Sequence, residues 1–133
     1  MRSGLVALLS GESTISTLVG ARVYINAAKQ GAAFPYIVLT QMGSDENQTL
    51  DGSTGVRSVE FDVDCKSKKS VQAETLGDAV RVFIENYTGA AGSQTINAVH
   101  LNSETSEIEP PTDGSDTPVH VVLLDITVQY SPV

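Results

Sequence analysis

Residues 58–65 alternate without a break. Val59, Phe61, Val63 and Cys65 hold one set of positions; Ser58, Glu60, Asp62 and Asp64 hold the other. Successive side chains of a strand point to opposite faces, so this segment reads as a half-buried strand of an antiparallel sheet. A helix would scatter the same four apolar residues around its circumference. Three carboxylates on one face of a strand stand about 7 Å apart. They repel one another and are costly to bury unpaired, so that face is wet or meets positive charge on a partner.

Other elements arrange themselves around this strand. Two short helices open the chain. Ser3 is placed to cap the first, which carries Leu5, Val6, Leu8 and Leu9; Ser13 is placed to cap the second, with Ile15, Leu18 and Val19, and Gly20 ends it. Val23, Tyr24 and Ile25 form a brief extended piece, and Pro35 opens a strand from Tyr36 to Gln41. From Ser70 to about Tyr87, Ala73, Leu76, Val80, Phe83 and Tyr87 recur at helical spacing, which predicts one long amphipathic helix. Strands follow over about Thr95–Ser103 and Val119–Tyr130. The predicted class is α+β: an antiparallel sheet of about four strands, one long helix across a face, and short N-terminal helices. A length of 133 residues predicts a single domain, 1–133.

Two connections are unusual. Segments 42–55 and 104–118 are long and polar, and the second holds Glu104, Glu107, Glu109, Asp113 and Asp116 with the pair Pro110-Pro111 and no basic residue. Structureless loops of this size in compact domains are commonly binding elements or disorder. Their acids Asp45, Glu46, Asp51, Glu107, Glu109 and Asp113 are therefore candidates for contacts with neighbours in an assembly.

Composition excludes several function classes. Sixteen acidic and eight basic residues give a net charge of −8, a poor basis for wrapping nucleic acid, which needs clustered Lys and Arg. The only basic cluster, Lys66, Lys68 and Lys69, falls at a predicted turn and reads as a solvated loop. Residues 1–20 lack a secretory pattern, and no stretch approaches the roughly 20 apolar residues of a membrane span. Cys65 is the single cysteine, so it forms no internal disulfide, and its inward strand position reads as a small buried hydrophobe. His100 and His120 lie in separate predicted strands without a ligand partner at metal-binding spacing. Gly52-Ser53-Thr54-Gly55 lacks the Lys and the following helix of a phosphate loop. No catalytic, cofactor or metal site is expected.

Several segments together resemble the tail-completion (tail terminator) proteins of long-tailed, siphovirus-like phages and related gene-transfer particles. They are Leu5-Val6-Ala7-Leu8-Leu9; Leu18-Val19-Gly20-Ala21-Arg22-Val23-Tyr24; Phe34-Pro35-Tyr36-Ile37-Val38-Leu39; Leu50-Asp51-Gly52 leading into Val59-Glu60-Phe61-Asp62-Val63-Asp64-Cys65; Leu76-Gly77-Asp78-Ala79-Val80-Arg81; and Asp125-Ile126-Thr127-Val128-Gln129-Tyr130. Lys66 departs from the pattern, standing where such sequences often carry an aromatic or apolar residue. The resemblance implies a structural virion protein without enzyme activity or cofactor. It implies a homo-oligomeric ring, a hexamer, assembled in the host cytoplasm and sited at the head-proximal end of the tail. Its implied partners are the tail-tube protein and the head–neck connector or stopper protein, with DNA passing through without specific binding and no membrane involved. In such a ring Glu60, Asp62 and Asp64 are candidate lumen acids, which would repel phosphate at short range. The rival readings are another morphogenetic subunit, of the tail tube or head–neck connector, and a small enzyme or ligand-binding domain.

Overall fold

The computed structural model describes residues 1–29, 31–49, 52–92, 94–111 and 116–132. Along the chain run α1 (Arg2–Gly11), α2 (Ser13–Val19), β1 (Val23–Ile25), β2 (Tyr36–Thr49), β3 (Gly52–Ser67), α3 (Ser70–Glu85), β4 (Gly89–Ala91), β5 (Gln94–Glu109) and β6 (Val119–Pro132). The strands form one sheet in the order β1-β2-β3-β6-β5-β4. β1 is parallel to β2, and the other neighbours are antiparallel.

This corrects the predicted α+β architecture of about four antiparallel strands under one long helix. Among the described residues the sheet has six strands, is mixed, and dominates over three helices. The two additional strands are three residues each, and β4 is Gly-Ala-Ala, with almost no side chain to express a period. Of the segments expected as polar loops, 42–55 is largely strand, and 104–118 is strand as far as Glu109. β2 and β3 stay paired out to Thr49 opposite Gly52, and β5 pairs with β6 out to Glu109 opposite Val119. Backbone hydrogen bonding across a hairpin does not require apolar side chains, so Gly, Ser, Asp and Glu extend these ladders without an alternating signature. Register shifts interrupt β2 between Gln41 and Gly43 and between Glu46 and Gln48, and β5 between Ile96 and Ala98 and between Leu101 and Ser103. Such irregularities bend and twist a strand.

Pairing of β3 with β6 sets the two faces. Val59 stands opposite Val128, Phe61 opposite Ile126, Val63 opposite Leu124 and Cys65 opposite Val122. All eight are buried. Ile37 and Leu39 of β2 join them on one side, and Ile96 of β5 on the other. Helix α3 lies over this face through Ala73, Leu76, Val80 and Ile84, all buried. Leu5 and Leu9 of α1 and Ile15 and Val19 of α2 complete the core.

Helix α1 touches both β1 and β4, the two edges of the sheet. Six strands laid flat would separate their edges by about 24 Å, and a ten-residue helix is only about 15 Å long. The sheet therefore curls, with its helix-covered face concave. Neither Ser3 nor Ser13 caps a helix as predicted: both lie within the helices, whose N-caps are Met1 and Glu12. Gly20 ends α2 with a φ of 60°, the conformation that favours glycine.

Two glycines set how closely the helices approach. A Cβ on Gly77 of α3 would lie 2.6 Å from Val122 Cγ1, and one on Gly4 of α1 would lie 2.6 Å from the Ala91 carbonyl oxygen. Alanine is intrinsically the better helix former by about 1 kcal/mol. Gly77→Ala is nonetheless expected to destabilise the protein by about 1–3 kcal/mol, because α3 must lift from β6. Urea denaturation measures this. A neutral or stabilising result would show that the contact does not set the spacing.

Candidate functional site

The convex face of the sheet carries most of the charge pattern singled out in the sequence. On β3, Glu60 is exposed, while Asp62 and Asp64 are half-buried. The register places Asp62 directly opposite Asp125 of β6, with Thr40 of β2 on its other side. Asp64 stands between Val38 and Leu123. One oxygen of Asp64 and one of Asp125 are enclosed without a hydrogen-bond partner among the described residues. Burial, then the charge of Asp125, raises the Asp62 pKa above its ordinary value. Burial raises that of Asp64 as well; Lys66 opposes the shift, while Asp62, Glu109 and Glu107 add to it.

Lys66, at the end of the same row, donates a hydrogen bond to Glu109 Oε1 at 3.0 Å, reaching across β6 to β5. Burial works against its charge, but the hydrogen bond and the negative charge of Glu109 outweigh it and hold the Lys66 pKa up. A lysine at this position thus has a partner, where an apolar residue would have had Val121 and Tyr36 as cross-strand neighbours.

Of the candidate assembly residues, Glu107 and Glu109 lie at the end of β5, Glu107 exposed and Glu109 in the Lys66 pair. The backbones of Asp45 and Glu46 lie in β2, opposite Ser58 and Arg57. Asp51 and Asp113 lie outside the described residues. The structure therefore sets Glu60, Asp62 and Asp64 in a row along β3, brings Glu107 and Glu109 at the end of β5 to the Asp64–Lys66 end of that row, and extends Asp45 and Glu46 away along the β2–β3 hairpin.

Three features had no clear signal in the sequence. Asp125 reads as an isolated acid in an apolar run, and only the β3–β6 register makes it the counterpart of Asp62. Tyr24, Phe34 and Tyr36 form an aromatic cluster with ring centroids 5.8 and 4.9 Å apart, and Lys68 Nζ lies 5.5 Å from the Phe34 ring. This cluster borders a pocket of about 790 Å³ on the convex face, lined by Ala27, Lys29, Tyr36, Val38, Asp64 and Lys66 among others. On the concave side, the end of β5 runs past α3 and leaves a groove, also of about 790 Å³, floored by Ala73, Val122 and Ile108. Ile108 is 68% exposed there.

No group of three or more His, Cys, Asp or Glu side chains able to hold a metal occurs among the described residues. His120 lines the concave groove, while His100 stands opposite Thr127 on β5. Cys65 is fully buried, and burial pushes its thiol pKa far up, which disfavours the thiolate. No helix among the described residues is long and apolar enough to cross a membrane.

Residues 3–130 match the family described as Tail completion protein gp17. The chain belongs to this family. It is thus a structural protein of the phage tail. The same fold occurs in a chain of the virion of a native gene transfer agent particle, 14% identical, with a TM-score of 0.63 over 95% of this chain and 91% of that one. A second solved chain is 19% identical over 100% of this chain and 97% of its own, with a TM-score of 0.49. No curated protein matches the chain.

The Asp62–Asp125 pair gives a pH-dependent expectation. An aspartate whose folded-state pKa exceeds its unfolded value binds more protons folded than unfolded, so stability falls as pH rises through that interval. Asp62→Asn removes the repulsion and should raise stability at pH 7 by roughly 0.5 kcal/mol. The gain should vanish below the ordinary aspartate value of 3.8, where both folded and unfolded carboxyls are protonated. Thermal melts at pH 7 and pH 3 test this; an equal gain at both would mean that charge is not the cause.

Proposed function

We propose that the protein closes into a ring, a hexamer, that caps the tail tube and joins it to the head-side connector. The match to the tail completion family over residues 3–130 carries this reading, because it takes in the whole fold except the first residue of α1 and the last two of β6. The fold shared with a chain of a gene transfer agent virion supports it. On this reading the protein resides in the virion, at the head-proximal end of the tail, and acts without catalysis or cofactor. Its partners are its own copies, the tail-tube protein, and a head–neck connector or stopper protein.

The long hairpins fit the demands of such a joint. β1 and β4 cover only three residues each of their neighbours, Ile37–Leu39 and Gln94–Ile96. The rest of β2 and β5 runs on beyond those short edge strands. Chain ends of this kind can reach a neighbour while the helix-filled body stays rigid. Asp45, Glu46, Asp51, Glu107, Glu109 and Asp113 are proposed to meet adjacent subunits or the tube. Glu60, Asp62 and Asp64 lie on the convex face and are proposed to border the channel, where they repel the phosphate of passing DNA.

Purified protein, alone and mixed with tail tubes, is expected to show rings with a central opening in negative stain. Native mass spectrometry should give a discrete species at six times the 14.0 kDa chain mass. Open filaments of variable length would favour a tube subunit. A density map of the ring with all three acids on its outer rim would refute their channel role.

A further inference from the structure

A strand paired on one side only presents a row of backbone N–H and C=O groups to whatever adjoins it. β5 is such a strand over most of its length. β4 pairs with it only at Gln94, Thr95 and Ile96, and over 98–109 its one strand partner among the described residues is β6. Residues 102–108 are exposed without a break, although β6 runs along one side of them. A layer over either face would leave every second residue covered. This end of β5 is therefore open at its outer edge and on both faces.

Proteins commonly guard such edges by keeping them short, by a bulge, or with Lys or Pro. Residues 103–109 have none of these devices. Their register with β6 runs unshifted, and they include no Lys, Arg or Pro. What they carry is charge of one sign. The register sets Glu104, Ser106 and Ile108 on the concave side, opposite Leu124, Val122 and His120. It sets Glu107 and Glu109 on the convex side, opposite Val121 and Val119. Lys66 holds Glu109, whereas Glu104 and Glu107 have no ion-pair partner among the described residues. Acids at an edge exclude an acidic strand and admit a basic one.

That charge argues against a second copy of this chain as the neighbour. The part of β2 beyond Leu39 is uncovered by β1, but register shifts interrupt it between Gln41 and Gly43 and between Glu46 and Gln48, and it carries Asp45 and Glu46. Laying it, or another β5, along 103–109 sets like charges side by side. β1 and β4 are only three residues long. We infer that residues 103–109 of β5 receive an added strand from a different protein, an extended segment with a base beside Glu104, a base beside Glu107 and an apolar side chain beside Ile108. In a parallel strand the order is base, two residues, base, apolar; in an antiparallel strand it is the reverse. The apolar side chain covers Ile108 at the rim of the groove floored by Ala73 and Val122. Backbone hydrogen bonds supply the affinity and the side-chain pattern supplies the choice of partner. The inference goes beyond the ring reading and stands whether or not copies of the chain close into a ring.

Two capped peptides test this on the wild-type protein: Thr-Lys-Thr-Ser-Lys-Val-Thr and the same residues in reverse order, which carry the pattern in the parallel and the antiparallel sense. At a concentration near ten times its Kd, one of them should slow hydrogen exchange of the outward-facing amides within 103–109 by about tenfold, read residue by residue by NMR. The same peptide N-methylated along its pairing edge keeps its charge and side chains but cannot join the ladder, and should not bind. With Glu in place of both Lys it should bind at least about tenfold more weakly. The variant Glu104→Lys with Glu107→Lys should reverse that preference, and Ile108→Ser should weaken binding with an unchanged melting temperature. If neither peptide protects these amides, or if the N-methylated peptide binds equally well, the open edge is not the site and the inference is overturned. If protection of 103–109 instead rises with the concentration of the protein alone, the occupant is a second copy, and the inference is equally overturned. None of these outcomes depends on whether native mass spectrometry finds a ring.

Discussion

Helix α1 reaching both edges of a six-stranded sheet is the constraint on which the rest of the structure depends. A ten-residue helix cannot bridge a flat sheet of this width, so the sheet must close around it. Closure makes one face concave and assigns it to the helices. It requires the bare backbone contact of Gly4 against Ala91 at one edge, and the fit of Gly77 against Val122 in the middle. It leaves the other face convex, open and free to carry charge. The division between a packed inside and an acidic outside thus follows from how the two edges are held, as much as from the alternation within any one strand.

That division shows in how unequally the central strands are treated on their two sides. Val59, Phe61, Val63 and Cys65 pack against a continuous apolar row from β6, while Glu60, Asp62 and Asp64 between them face Thr127, Asp125 and Leu123. The convex face is not uniformly polar: Val38, Val119 and Val121 are buried on it. Asp64 is therefore an acid set between Val38 and Leu123, while Asp62 lies between Thr40 and Asp125, and burial is the first cause of the raised pKa of both. A fold that tolerates an aspartate pair at its midline gives up some stability there.

Much of this was legible in the sequence, for identifiable reasons. The alternation at 58–65 fixed β3, and the helical spacing from Ala73 onward fixed α3 to within two residues of its end at Glu85. Both signals come from apolar side chains choosing a side, which is what a period records. The extension of β2 beyond Met42 and of β5 through Glu109 left no such record, because those residues do not choose an apolar side; their pairing rests on the backbone. β4 was invisible for want of side chains, and the parallel pairing of β1 could not be read from Val-Tyr-Ile alone. The acids of the candidate site were visible as residues, but their neighbours were not. Asp125 opposite Asp62, and Glu109 reaching Lys66, are products of strand order, and strand order is a property of the whole sheet.

The burial of Cys65 has a consequence for redox chemistry. Its sulfur is wholly enclosed between β2 and β6, and the thiolate needed for attack or exchange is suppressed there. With the one thiol of its sequence sealed in the core, the folded protein cannot be cross-linked to another chain through a disulfide.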